Sequence, residues 1–292
     1  MNKSFPLPVR MIGPGSQIEE EELQYLAMPR EIATFSMPRV PEKVAPEALA
    51  AARDLLADFH AAFERWDPAS GAPGPRLDLD RVPAATRAVV DDMLGEGEVA
   101  IQIGGARPHR IQESVFAGVW RVCALDGDGQ LVGDHLEAAP VPAVALDAAR
   151  AAAAERIPPV EIPAGAMNSP ALLAEIGAQL VCRGEGASAH VLNLTLLPLS
   201  GDDHAVLERA LPVGPVAMIS RGFGNCRITS TAARNVWRVQ YFNSMNTLIL
   251  NTLEVVDVPE VALAAAEDLQ DSCSRLAELI EWMDGSFLRE AQ

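Results

Sequence analysis

The sequence predicts an α+β fold made of two tandem, internally duplicated units, each a β-hairpin backed by helices, behind an N-terminal proline-rich arm. Three observations predict it. The chain matches itself without a gap at a shift of 117 residues, from Leu77 to Leu146. Apolar residues recur at helical spacing in some stretches and alternate in others. Prolines then cluster where one copy should end and the next begin: Pro158, Pro159 and Pro163.

The repeat is specific. Arg110-Ile111 falls on Arg227-Ile228, and Val119-Trp120-Arg121-Val122 on Val236-Trp237-Arg238-Val239. Leu136-Glu137 falls on Leu253-Glu254, Val144-Ala145-Leu146 on Val261-Ala262-Leu263, and Gly97 on Gly214. A period this long indicates two copies of a small domain, not a solenoid. The expected divisions are an arm over 1–44, a first copy over 45–157 and a second over 164–292.

Within the arm, Pro6, Pro8, Pro14, Pro29, Pro38 and Pro41 break regular structure, with a short acidic helix expected at Glu19–Tyr25. Leu49, Leu56, Phe59, Phe63 and Trp66 give an amphipathic helix over Pro46–Trp66, with Pro46 in its first turn. DPASGAPGPR is a loop. Leu77 and Leu79 alternate with Asp78 and Asp80 as in a strand. Pro83–Leu94 is a helix ended by Gly95, and Val99, Ile101 and Ile103 form a strand. Arg110–Leu125 reads as one extended region, and Asp126-Gly127-Asp128-Gly129 as the turn into Leu131–Leu136. Asp147 is expected to cap an alanine-rich helix running to Arg156.

The second copy repeats the order. Ser169-Pro170 should open a helix to Cys182, with Ser169 as its cap. A strand over His190–Leu197, a helix over Asp202–Leu211 and a strand over Val216–Ser220 follow. Arg227–Phe242 is extended, Asn243–Asn246 a turn and Thr247–Val255 a strand. A long helix over Glu260–Met283 closes the chain, with Leu269, Leu276, Ile280 and Met283 on one side.

The formal net charge is −17, which argues against a general nucleic-acid binder. From Arg209 to Leu253, however, there are five arginines and no Asp or Glu. No apolar run is long enough for a membrane span. The N-terminal residues MNKSFPLPVRMIGPGSQ contain no apolar signal core. Cys123, Cys182, Cys226 and Cys273 are far apart and make no ligand-like cluster. Free thiols in a reducing cytoplasm are expected. No catalytic residues, metal site or cofactor are assigned, since no P-loop, H-E-x-x-H or G-x-S-x-G occurs.

Positions alike in both copies serve the scaffold. Trp120 and Trp237 are therefore read as core, with a π-face for a ligand as the alternative. Positions that differ are functional candidates. Ala117-Gly118 becomes Arg234-Asn235, and Pro108-His109 becomes Asn225-Cys226. The glycine shared as Gly105 and Gly222 is extended to Gly222-x-Gly224. A partner-binding surface is accordingly expected from Arg221, Gly222, Gly224, Asn225, Cys226, Arg227, Arg234, Asn235 and Arg238. The competing reading is a glycine turn whose arginines make local ion pairs. Cys226, beside Arg227, is either an activated thiol or transient metal ligand, or an inert buried cysteine.

The segment RGFGNCRITSTAARNVWRVQYFNSMNTLILNTLEVVDVPEVALAAAEDLQDS resembles the C-terminal conserved region of the HupH/HyaF hydrogenase expression/formation family. IGPGSQ at 12–17, MPREIATF at 28–35, and GEGEVAI with RIQESVFAGVWRV between 95 and 122 extend the resemblance. It implies a cytoplasmic, non-enzymatic accessory protein for maturation of uptake nickel–iron hydrogenases. The implied client is the iron–sulfur small-subunit precursor, before assembly and export. An iron–sulfur or metal carrier using Cys226 is the alternative, and a cysteine-dependent enzyme the weaker one.

Overall fold

A computed structural model describes residues 44–290, except Glu185 and Phe223. The arm, its acidic helix and two of the motifs that carry the resemblance lie outside the described residues.

The fold is α+β, and its frame is one ten-stranded antiparallel sheet. The first copy contributes α1 (Pro46–Arg65), β1 (Arg76–Asp78), α2 (Ala84–Leu94), β2 (Val99–Ile103), β3 (His109–Glu113), β4 (Val119–Leu125), β5 (Leu131–Ala138) and α3 (Ala143–Ala152). The second contributes α4 (Ser169–Cys182), β6 (His190–Asn193), α5 (Gly201–Ala210), β7 (Val213–Ser220), β8 (Asn225–Thr231), β9 (Val236–Phe242), β10 (Leu248–Val255) and α6 (Ala266–Glu290). The strand order is β1-β5-β4-β3-β2-β7-β8-β9-β10-β6.

The duplication is visible in the hydrogen-bond register. β3 pairs His109 with Ala124 of β4, and β8 pairs Cys226 with Tyr241 of β9, 117 residues on. Trp120 faces Glu137, and Trp237 faces Glu254. The outer strand alone departs: Leu77 pairs with Leu136, but Leu192 with Leu253. That is a two-residue slip, which keeps each side chain on its original face.

The copies meet where β2 and β7 pair antiparallel, Ile101 opposite Met218. These two residues are each other's counterparts in the repeat, so a pseudo-two-fold axis passes between them. The joint is isologous, like the interface of a symmetric dimer, and each copy covers the other's open edge. The copies are halves of one sheet, not separate bodies.

One sheet face carries a core shared by both halves. Ile101, Ile111, Trp120, Met218, Ile228 and Trp237 pack there beneath Ala145 and Ala149 of α3. Trp120 also donates its indole N–H to Ala139 O at 2.8 Å. On the other face the described helices pack over each half. Over the first half lie α1, α2 and α6, through Leu56, Phe59, Val89, Met93, Leu269 and Leu276. Over the second lie α4 and α5, through Leu172, Ile176 and Leu207.

Several elements differ from expectation. The extended regions 110–125 and 227–242 are each two strands, folded at Ser114–Gly118 and at Ala232–Asn235. The signal is Gly118 at φ +77 and, at the matching place, Asn235 at φ +58. Glycine and asparagine tolerate this left-handed region best. The helix assigned to Asp147 begins at Ala143, after Pro142 at φ −58, so Asp147 lies inside it. The cap of α4 is Asn168, not Ser169. The helix expected over 260–283 is a short 3-10 turn, Glu260–Ala262, followed by α6. Moreover, α6 does not close the second copy: its Leu269, Leu276 and Met283 fill the core of the first.

Candidate functional site

The expected surface centres on the β8–β9 hairpin. Strand alternation divides it. Cys226, Ile228, Trp237 and Val239 enter the shared core. Arg227, Thr229, Arg238 and Gln240 lie on the opposite face, toward Leu253 and the helices of the second half.

The nine candidates fall into separate places. Gly222, Gly224 and Asn225 stand at the open end of the hairpin. Gly222 and Gly224 bridge one another across Phe223, and Gly224 has φ +92. A Cβ on Gly222 would meet only the Glu98 carboxylate, the end of an exposed and flexible side chain that can move aside. The sequence match of Gly105 to Gly222 does not carry over to the backbone, since Gly105, at φ +93, matches Gly224 in conformation. Arg221 donates its backbone N–H to Glu98 O at 3.1 Å, tying β7 to the start of β2.

Arg234 and Asn235 occupy the hairpin turn at the other end of β8. A seven-residue strand puts them about 20 Å from Asn225. Arg234 lies 3.7 Å from Glu155, both well exposed, a pairing of little energetic weight. Asn235 serves the turn, and its carbonyl accepts from Val256 N–H at 2.9 Å. Its difference from Gly118 is a choice between two residues suited to one backbone conformation.

Arg227 and Arg238 share a sheet face on neighbouring strands. The Arg227 guanidinium lies 5.1 Å from the centroid of the Phe242 ring, within cation–π range. Arg238 is buried.

Cys226 is the clearest correction. It is 1% exposed, so in this conformation it touches no partner. Arg227 does not activate it, because adjacent strand residues point to opposite faces. Burial pushes the thiol up to about 11; the Tyr241 hydroxyl opposes this and Glu254 adds to it. A thiol in that state is a poor nucleophile and a poor metal ligand at neutral pH. Native-state alkylation near pH 7.5 is expected to label exposed Cys182 first and Cys226 only on unfolding. Mass spectrometry of the modified peptides checks this, and prompt labelling of Cys226 would reverse the reading. Among the described residues no group of three or more His, Cys, Asp or Glu is placed to hold a metal ion.

Gly222 also borders a cavity of about 250 Å³ that the sequence did not reveal. Glu98, Glu113 and Asp268 line it, from β2's entry, β3 and α6. Glu113 is buried and accepts from Gly118 N–H at 2.9 Å. Burial pushes its carboxyl up to about 7; the Gly118 N–H opposes this, and Glu98 and Asp268 add to the rise. A raised folded-state pKa means stability that is fully present below about pH 4.5 and lost as pH climbs through about 7. The loss is on the order of 3 kcal/mol. Melting temperature measured from pH 5 to pH 8 is expected to fall for the wild type and to change less for Glu113→Gln.

Comparison with known proteins places the chain. The family described as HupH hydrogenase expression protein, C-terminal conserved region, matches residues 49–157 and 166–283, one stretch in each copy. The hydrogenase expression/formation protein HoxQ of Cupriavidus necator is 44% identical over 96% of this chain and 98% of its own length. HupH of Rhodobacter capsulatus is 43% identical over 96% and 99%. The hydrogenase-1 operon protein HyaF of Escherichia coli is 32% identical over 94% and 95%. Among the described residues no helix is long and apolar enough to cross a membrane. With both copies matched and relatives aligned end to end, the chain belongs to the HupH hydrogenase expression protein family.

Proposed function

We infer that this chain is a non-catalytic assembly factor for a nickel–iron hydrogenase, acting in the cytoplasm on the iron–sulfur small-subunit precursor before it joins the large subunit. The observation that carries the reading is the extent of the match. Relatives named as hydrogenase expression/formation proteins share this chain along nearly its whole length and theirs. The family match falls on both copies rather than on one of them. The charge pattern supports a binding protein. A chain at −17 keeps an acid-free, arginine-bearing stretch in its second half, a contrast of charge along the chain suited to recognising a partner.

The client-facing candidates are Arg227 and Arg238 on the sheet face, with Arg221, Gly222, Gly224 and Asn225 at the open hairpin end. Arg234 is a peripheral candidate at the far turn. Cys226 and Asn235 leave the set, one for burial and one for its turn conformation.

The test is affinity purification of the full chain from cells producing the hydrogenase. The unprocessed small subunit is expected to accompany it, and the exported, processed form is not. Recovery of the chain without the precursor would remove the reading.

A further inference from the structure

The duplication supplies an internal control for one buried cation. In the first copy Arg121 of β4 is held by carboxylates. Its Nε and Nη2 donate to Asp134 of β5, the second at 2.7 Å, and it also pairs with Asp91 of α2. Arg87 stands 3.6 Å from the same Asp134. Asp134 is itself 2% exposed.

A shift of 117 carries Arg121 to Arg238, Asp134 to Asn251, Asp91 to Glu208 and Arg87 to His204. The register is preserved: Cys123 faces Asp134, and Gln240 faces Asn251. The second copy has kept the guanidinium and replaced its carboxylate by an amide. Arg238 is 8% exposed, and among the described residues no carboxylate is paired with it; none of its nitrogens is a buried atom left without a partner, so the guanidinium head reaches solvent. The Oδ1 of Asn251 is buried without a partner.

A guanidinium whose stem is buried and whose head meets little solvent gains from a carboxylate counter-charge. The first copy shows that this backbone can hold the pair internally. Arg227 stands on the same face, diagonal to Arg238 across the β8–β9 ladder. Further along that face Arg110 is exposed and Gln102 half-buried.

We propose that Arg238 receives a carboxylate from an acidic segment of the client protein, at the place where the first copy supplies its own Asp134. Asp134 is the template for the ligand: a planar carboxylate that accepts from two guanidinium nitrogens. The identity of the client rests on the proposed function; the site does not.

The experiment compares the full-length wild type with Asn251→Asp and Arg238→Met. Asn251→Asp restores the first copy's pairing and is expected to raise the melting temperature. Each substitution is expected to weaken binding of the purified small-subunit precursor about ten-fold or more. If the wild type binds the precursor and both variants bind within two-fold of it, the proposal is overturned. That holds whether the position is then filled by Glu19–Glu22 of this chain or by solvent anions. If the wild type does not bind the precursor, the client reading fails and a hexaglutamate peptide tests the site alone. Peptide binding lost in both variants supports the site, and no peptide binding overturns it.

Discussion

A chain ending at Leu263 is expected to lose its cooperative fold, and to lose it first in the half farthest from the cut in sequence. The reason is where α6 goes. Leu269, Leu276 and Met283 are 2%, 0% and 0% exposed, and all three lie in the core of the first copy, against α1. Leu269 packs on Gly118, so closely that a Cβ there would strike its Cδ2. Each of these side chains contributes about 1.5–3 kcal/mol by burial. Together they approach the whole stability of an ordinary domain, about 5–15 kcal/mol. Because β2 and β7 join the halves into one sheet, the damage should spread. The milder variant Leu276→Ala should cost about 2–5 kcal/mol and leave the fold intact. Urea denaturation followed by circular dichroism distinguishes the two. A truncated chain with the wild-type midpoint would show that α6 is dispensable.

Asp203→Ala is expected to cost about 3–5 kcal/mol, more than a surface helix cap normally does. Asp203 holds two helix starts at once. Its Oδ1 accepts from Asn168 N–H at 2.9 Å and Ser169 N–H at 2.8 Å, at the beginning of α4. Its Oδ2 accepts from Ser200 N–H at 3.0 Å and the Ser200 hydroxyl at 2.9 Å, completing the capping box of α5. Burial resists ionisation of this carboxyl, but the N–H groups of Ser169, Ser200 and Asn168 together outweigh it and hold the group well below the usual carboxylate range. A lowered folded-state pKa means stability that is present above the unfolded value, about 3.9, and lost as pH falls through the folded value. The wild type should therefore lose stability below about pH 4 through this residue, and Asp203→Ala should show a shallower acid limb. Thermal melts between pH 2 and pH 7 measure it. Parallel curves for the two proteins would mean that Asp203 does not supply the acid sensitivity.

The fold was largely legible in the sequence, but at uneven depth. Helix α1 and the strand over 99–103 announce themselves through spacing alone. The pairs β3–β4 and β8–β9 do not, because each hides its bend inside an unbroken apolar stretch. Comparison of the copies locates that bend, since Gly118 and Asn235 coincide and both adopt positive φ. The same comparison first marked Asn235 as a functional difference, because asparagine is both a hydrogen-bonding residue and a left-handed-turn residue. Cys226 was ambiguous for a similar reason. A neighbouring arginine in sequence suggests an activated thiol, while strand alternation sends the two side chains to opposite faces.

The contrast that matters most at the candidate site was also present in the sequence: Asp134 and Asn251 are exact counterparts at the repeat shift. It carried no meaning until Arg121 was seen bound to Asp134 and Arg238 was seen buried without an equivalent.

By itself the sequence determined the repeat, the α+β class and the strand and helix periods, because each is written in local order and spacing, and its longest segments carried the resemblance to the family. Only the tertiary structure decided that the copies join edge to edge and that α6 serves the opposite copy. It alone decided which arginine is paired and which is not. Those depend on which surfaces meet across long separations in the chain, and burial and charge pairing are properties of the meeting.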